Sequence, residues 1–249
     1  MELPKEKIKS NNVNCKRLVL YSPPKLGKTT AVSALENCLI VDLEQGSNFV
    51  EALKVQVNSL EELQELGVAI VKAGKPYKYV AIDTITKLED WCEWGATEDY
   101  MATPIGKNFN RDSNNNLLPR GQWSSVLTLP NGGGYLYLRL AVSKWLEKID
   151  KLADHIILIG HIKDKMIEKK GKEVTAKDID LTGKIKSITC ANADAIGYLY
   201  RDGDETHLNF NSSDETLCGA RPEHLRGKDI IIGKLVEGKP VFDWSEIYK

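Results

Sequence analysis

The sequence lacks the features that mark secreted, disulfide-bonded and membrane-spanning proteins. Its five cysteines are odd in number, widely spaced, and include no CxxC pair, which argues against a disulfide framework and against a zinc site. No apolar run approaches the length of a membrane span, and the N-terminal stretch MELPKEKIKSNN contains no apolar signal core. We therefore expect a cytoplasmic protein without a membrane partner.

The sequence also lacks a charge bias and internal repeats. Lysine and arginine number 34 against 35 aspartate and glutamate, for a formal net charge of −1. No global field therefore draws the whole chain toward nucleic acid, and any such contact requires a local patch. The length of 249 residues suits one domain of moderate size that buries a substantial core.

What the sequence does contain is an alternation of short apolar runs with helical patterns. Apolar runs bounded by breaker residues predict buried strands, at 17–21, 39–42, 79–83 and 155–159. Apolar residues at helical spacing predict helices, at 29–36, 60–72, 85–100 and 135–152. This alternation predicts an α/β fold with a mostly parallel central sheet and helices on both of its faces.

Two kinds of segment interrupt the alternation. Residues 101–134 are rich in Asn, Gly, Pro and Ser and predict a long loop, which in a compact domain is usually functional or disordered. Turn signals predict hairpins at 170–172, at 202–204 and near 236–239. The closing hairpins would add antiparallel strands to one edge of the sheet, toward the C-terminus.

The strongest functional signal is the segment LVLYSPPKLGKTT, which ends the first predicted strand and opens the first predicted helix. Backbone N–H groups at a helix N-terminus can hold a polyphosphate. In such a loop, Lys28 would bind the terminal phosphates and the Thr29 hydroxyl would bind Mg²⁺. The predicted nucleotide-binding residues are Ser22, Pro23, Pro24, Lys25, Leu26, Gly27, Lys28, Thr29 and Thr30.

This loop departs from the pattern GxxxxGK[ST] at its first position, where Ser22 stands in place of glycine. Pro23 and Pro24 have no N–H to donate, so the phosphate cradle would depend on the amides of residues 25–30. The alternative is a strand-turn-helix junction with an incidental GKT. The position of the motif between a strand and a helix favours the phosphate-binding loop.

An aspartate at the end of a buried strand is the second part of such a site. Asp83 ends the run YVAID, which we expect to lie beside the first strand. An aspartate in this position is common and means little by itself. Together with the phosphate-binding loop, it predicts Asp83 as an outer-sphere partner of the Mg²⁺ that Thr29 binds.

These segments in their order resemble the P-loop ATPases of the RecA superfamily. The resemblance is carried by the strand-GKT-helix unit followed by LIVDLEQG, VAIDTIT and ILIGHIK, and it covers roughly residues 16–200. It extends to small phage nucleotide-binding proteins, some associated with single-strand-annealing recombination. It implies Mg²⁺-dependent ATP binding and hydrolysis coupled to DNA recombination or repair, in the host cytoplasm if the protein is phage-encoded.

The resemblance implies one RecA-like ATPase domain at 16–249, preceded by a tail at 1–15. The domain would carry the loop insertion 101–134 and a C-terminal hairpin extension at 201–249.

The resemblance also implies roles for Glu44 and His161 beside Lys28. Glu44, just past the second strand, matches the glutamate that activates the attacking water. Asp42 is its rival, although the last residue of a strand is better suited to support the loop. His161 follows the fourth strand, where the superfamily has a polar residue that senses the terminal phosphate. A histidine that only satisfies backbone groups at the strand end is the alternative.

Two segments are candidates for contact with single-stranded DNA. Residues 162–186 contain eight lysines and five acidic residues, a local charge of +3, which suits phosphate contacts. Such mixed runs are more often solvated hairpins, and this one lacks aromatic residues for base stacking. The long loop interleaves basic and aromatic residues, namely Lys107, Phe109, Arg111, Arg120 and Trp123. That composition equally suits a lid or a subunit contact.

The resemblance further implies a homo-oligomer with nucleotide at the subunit interface. A neighbouring subunit would then supply a basic finger, for which Arg201, Arg221 and Arg226 are candidates. Two other functions stay open: a nucleotide-gated binding module with little hydrolysis, which Ser22 and the two prolines suggest, and a P-loop small-molecule kinase. The sequence contains no NKxD-like guanine motif, which favours ATP.

Overall fold

The computed structural model describes residues 3, 6, 13–169 and 172–249. Most of the expected tail therefore lies outside the described residues, as does the tip of the hairpin predicted at 170–172. The described part contains eleven strands in one sheet. They are β1 (Arg17–Ser22), β2 (Cys38–Asp42), β3 (Leu53–Gln56), β4 (Tyr79–Asp83), β5 (His155–Lys169), β6 (Lys172–Ile179), β7 (Ala195–Asp202), β8 (Glu205–Asn209), β9 (Gly219–Ala220), β10 (Asp229–Val236) and β11 (Lys239–Phe242).

The centre of the sheet is parallel, in the order β7-β1-β5-β4-β2-β3. Every residue of β1, β2 and β4 is buried, because both faces of the sheet are covered. The expectation that the strand ending in Asp83 lies beside the first strand is wrong, since β5 pairs with β1 on one side and β4 on the other. The apolar run Ile156–Ile159 suits this central position, because all four side chains are fully buried.

Antiparallel strands extend the sheet beyond β7, as the sequence predicted. β8 pairs with β7, β10 with β8 and β11 with β10. The short β9 also pairs with β7. The hairpin predicted in the charged stretch is present as well. It is formed by β6 and the last part of β5, a strand of 15 residues that continues beyond the end of the central sheet.

Helices cover both faces of the sheet. They are α1 (Lys28–Ser33), α2 (Leu60–Lys72), α3 (Ile85–Met101), α4 (Gly134–Ile149) and α5 (Gly183–Asn192). α1 lies on one face, and the other four helices pack into the hydrophobic cluster on the opposite face. This arrangement confirms the predicted α/β class. No helix in the described ranges is long and apolar enough to cross a membrane.

The long loop between α3 and α4 is ordered against those helices. It contains three short 3₁₀ turns, Arg120–Gln122, Val126–Thr128 and Pro130–Gly132. Val126 is fully buried, and its N–H donates to Thr97 Oγ1 of α3 at 3.0 Å. The division of the chain into a tail and one domain stays a prediction, with which a single sheet from Arg17 to Phe242 agrees.

Candidate functional site

The loop between β1 and α1 turns sharply at Gly27, which precedes the first helical residue. Gly27 has φ 96° and ψ 26°, a left-handed conformation that favours glycine. The N-cap residue of α1 is this glycine, which has no side chain to cap the helix, so the N–H groups of the first turn are available to an anion. These residues thus form the strand-loop-helix junction that a phosphate-binding loop requires.

Lys28 folds back into the curve of this loop. Its side chain is buried, and Nζ donates to the Ser22 carbonyl at 3.2 Å, to Ser22 Oγ at 3.3 Å and to the Pro23 carbonyl at 3.2 Å. Burial lowers the pKa of Lys28, although Asp83 and Glu44 oppose this shift. Ser22 is fully buried, and its hydroxyl donates to the Pro23 carbonyl at 2.8 Å. The serine that replaces the motif's first glycine therefore forms a hydrogen bond within the loop.

Thr29 and Asp83 form a hydrogen bond, although β5 lies between β4, which ends in Asp83, and β1, which leads to Thr29. Thr29 Oγ1 donates to Asp83 Oδ2 at 2.6 Å, which joins the start of α1 to the carboxyl end of β4. Burial raises the pKa of Asp83, while the Thr29 hydrogen bond opposes the shift. The Thr29 hydroxyl fits a ligand of Mg²⁺, and the carboxylate bonded to it fits the outer-sphere partner of an ion that takes its remaining ligands from phosphates and water.

Asp42 holds the loop that follows β2. Its carboxylate accepts hydrogen bonds from the N–H groups of Glu44, Gly46 and Ser47 and from Ser47 Oγ, at 2.6–3.2 Å. Burial would raise the pKa of Asp42, but the hydrogen bonds from Ser47, Glu44 and Gly46 lower it overall. All four contacts lie within the loop that follows β2, whereas the assignment of the base to Glu44 or Asp42 stays a prediction.

Glu44 contacts two residues at the same end of the sheet. Thr84 Oγ1 donates to Glu44 Oε1 at 2.7 Å, and His161 Nε2 lies 3.2–3.3 Å from the two carboxylate oxygens. Sequence reasoning missed Thr84, which is buried and also accepts from the Lys87 N–H as the N-cap of α3. A threonine between a buried strand and a helix is a recognisable N-cap signal, but the signal does not reveal the contact with Glu44.

Of the three candidate arginines, one lies at the carboxyl end of the parallel strands and two lie at the opposite end. Arg201 follows the carboxyl end of the central part of β7, the end at which β1 meets the phosphate-binding loop. Arg221 instead donates to Asp194 Oδ1 at 3.1 Å, just before β7 begins, and Arg226 donates to the Arg221 carbonyl at 2.9 Å. Among the three, Arg201 is therefore the one that shares an edge with the candidate site.

The two candidate DNA segments differ in their relation to the site. The β5–β6 hairpin begins directly after His161, and its Lys163 and Lys177 pair with Asp180 at 3.3 Å and Asp164 at 2.9 Å. The long loop instead contacts the α3–α4 pair, for example through Arg120 and Glu98 at 3.1 Å. Arg120 also lies over the Trp123 ring, 5.9 Å from its centroid.

A glycine-lysine-threonine junction between a buried parallel strand and a helix, with Asp83 bonded to Thr29, defines a P-loop nucleotide-binding domain. The chain belongs to the AAA_24 family of AAA domains, whose model matches residues 14–221. This match confirms the resemblance to P-loop ATPases, whereas the phage type stays a prediction. No curated protein matches the chain at a significant level.

Two solved structures share features of the fold at low identity. One is a RadB recombinase, 12% identical over 90% of this chain and 89% of that chain, with a TM-score of 0.45. The other is a KaiC-like protein from Pyrococcus horikoshii OT3, 12% identical over 92% of this chain and 89% of that chain, with a TM-score of 0.43. At such values the likeness bears on neither activity nor partners.

Proposed function

We propose that the chain binds ATP with Mg²⁺ and hydrolyses it, and that hydrolysis is coupled to DNA recombination or repair. The observation that supports this most is the convergence of side chains from four segments at one edge of the sheet. Lys28 and Thr29 come from α1, Asp83 from β4, Glu44 from the loop after β2 and His161 from β5. A base, a cation and a magnesium ligand set are the groups that phosphoryl transfer needs.

In this proposal the phosphates bind over the first turn of α1. The amides of residues 25–30 would donate to phosphate oxygens, and Lys28 would exchange its contacts with Ser22 and Pro23 for the terminal phosphates. Thr29 and Asp83 would hold Mg²⁺, whose charge offsets that of the phosphate oxygens. Because the amides and the lysine come from one rigid junction, they would orient the terminal phosphate toward Glu44.

Glu44 would take the proton from the attacking water. A carboxylate offers about four acceptor positions, so the hydrogen bond from Thr84 and the contact with His161 leave room for a water molecule. Thr84 would hold the carboxylate in place, and His161 would contact the terminal phosphate or Glu44 according to whether nucleotide is bound. Both contacts would restrict the base to the geometry that general-base catalysis requires.

The DNA part of the proposal depends on the sequence resemblance and on the β5–β6 hairpin. Its lysines Lys163 and Lys177 form exposed ion pairs, which contribute little free energy and can be exchanged for contacts with DNA phosphates. The hairpin begins at His161, so DNA bound there would lie close to the nucleotide. A homo-oligomer with Arg201 reaching a neighbour's phosphates would complete the site.

The test is steady-state phosphate release from ATP and Mg²⁺, with and without single-stranded DNA. Lys28→Ala is expected to abolish both tight ATP binding and turnover, because the terminal phosphates lose their cation. Lys144→Ala, an exposed lysine of α4, is the control for loss of one positive charge. Wild-type ATP affinity in Lys28→Ala would refute the P-loop assignment, and turnover that DNA does not stimulate would refute the coupling.

A second candidate function is a nucleotide-gated binding module with little hydrolysis. Ser22 in the glycine position and the two prolines without N–H groups favour it. ATP binding without turnover, combined with DNA binding that depends on ATP, would support this function over the ATPase. Formation of a phosphorylated small molecule would instead support a P-loop kinase.

A further inference from the structure

The last seven residues, 243–249, form a segment that we call the C-terminal strap. It lies beyond the residues that the family model matches, so the family assigns it no role. Trp244 is only 5% exposed and Ile247 is fully buried. Both belong to the hydrophobic cluster that also contains Ala31 and Val32 of α1. The strap is therefore packed directly against the helix that follows the phosphate-binding loop.

One hydrogen bond joins the strap to the backbone of α1. Trp244 Nε1 donates to the Ala31 carbonyl at 2.7 Å, in a buried position. The last four carbonyls of any helix lack partners within the helix, and α1 has only six residues. The Ala31 carbonyl also accepts a longer bond, 3.3 Å, from the Ala34 N–H. Trp244 thus satisfies a carbonyl that lies one turn after Lys28.

The C-terminal end of the strap is hydrogen-bonded to Asn14, which precedes β1 in the chain. Asn14 Nδ2 donates to the Lys249 carbonyl at 2.6 Å, and the Lys249 N–H donates to Asn14 Oδ1 at 2.8 Å. The Tyr248 ring lies 4.9 Å from the Tyr79 ring between their centroids, at the start of β4. The strap therefore contacts the chain on both sides of the unit formed by β1 and the phosphate-binding loop.

We propose that Trp244 is a positioning residue for nucleotide binding, acting through α1. The inference rests on the proposed nucleotide site. Pro23 and Pro24 supply no N–H, and the N-cap residue Gly27 has no side chain, so phosphate binding depends strongly on the amides of the first helical turn. A shift of α1 by a fraction of an ångström would misalign those amides together with Lys28 and Thr29.

Trp244→Phe tests the inference, because it removes the N–H donor and keeps an aromatic ring in the cluster. We expect the Kd for Mg²⁺-ATP to rise about three- to tenfold, the size of one hydrogen bond, while kcat at saturating ATP stays at the wild-type value. Trp145→Phe on α4 is the matched control, since Trp145 packs against the cluster on the opposite face of the sheet. Its Kd should equal that of the wild type.

Asn14→Ala provides a second variant at the other end of the strap, at an exposed hydrogen bond. Its Kd should rise in the same direction by a smaller factor. A lower unfolding midpoint with an unchanged Kd in Trp244→Phe would overturn the inference, because the strap would then only stabilise the fold. If Trp244→Phe does not fold, an unchanged Kd in Asn14→Ala overturns it. Failure of the proposed function is distinguished by Lys28→Ala, whose affinity would then stay at the wild-type level.

Discussion

At the edge of the sheet where the candidate site lies, three side chains with proposed roles are held by hydrogen bonds to neighbouring residues. Lys28 bonds to Ser22, Thr29 to Asp83, and Glu44 to Thr84. Substitutions that keep the shape of a side chain should therefore alter its chemistry while leaving the surrounding contacts in place. This property makes the proposed roles separable by experiment.

Glu44→Gln is the sharpest test of the proposed base. The amide keeps an oxygen that can accept from Thr84 but cannot take a proton from water, so turnover should fall at least tenfold, since general-base losses are commonly about 10²–10⁴-fold. ATP affinity should stay at the wild-type value. Single-turnover phosphate release and an ATP titration measure the two quantities.

Glu51→Gln, an exposed glutamate that follows the same loop, controls for the loss of one negative charge. Wild-type turnover in Glu44→Gln would move the base to another residue, with Asp42 as the first alternative.

Single residues of the site differ in how far the sequence could predict them. Gly27, Lys28 and Thr29 are adjacent in the chain, so a local motif reveals them. Thr84 meets Glu44 across 40 residues and Trp244 meets Ala31 across 213 residues. Such contacts depend on the order of strands in the sheet, which no local pattern encodes.

At the scale of elements, the sequence predicted best where caps and periodicity agree. α2 spans the predicted residues, and the Ser59 hydroxyl accepts from the Glu62 N–H as its N-cap. β3 was not predicted, because it is a short edge strand with largely exposed residues. α5 was not predicted either, since lysines interrupt its apolar residues and it follows a charged hairpin.

The attachment of α3 to α5 predicts a pH dependence of stability. Glu89 of α3 is buried and accepts from the Thr182 N–H at 3.2 Å. Burial raises the pKa of Glu89 above its ordinary value of 4.5, although Thr182 opposes the shift. The Glu89 carboxyl therefore stays protonated to a higher pH in the folded state than in the unfolded state. Its contribution to stability is present below pH 4.5 and is lost as pH rises through the higher folded pKa.

Glu89→Gln should remove this dependence. The difference in the free energy of unfolding, variant minus wild type, is expected to increase from about pH 4.5 toward pH 7. Denaturant unfolding at several pH values measures it, with the exposed Asp99→Asn on the same helix as control. A difference that is constant over this pH range would contradict a raised pKa of Glu89 in the folded state.

For the whole molecule, the candidate site joins segments from β1 to β5, so a bound nucleotide should stabilise the entire fold. At a free ligand concentration of 100 Kd, the free energy of unfolding gains about 2.7 kcal/mol. For a chain of this size that corresponds to a rise in Tm of about 5–10 °C. Thermal unfolding with Mg²⁺-ATP measures the shift without any need for turnover.

The Lys28→Ala variant should show no such shift at the same nucleotide concentration. A full shift in that variant would place nucleotide binding elsewhere in the molecule.

The position of β5 between β1 and β4 also has a consequence for folding. Arg17 pairs with Ile156, roughly 140 residues later, and the other neighbour of β1 is β7, which lies later still. During synthesis, β1 therefore leaves the ribosome long before either of its partners exists. The residues of β1 therefore remain unpaired during much of synthesis, and the phosphate-binding loop can acquire its final shape only after most of the chain has been made.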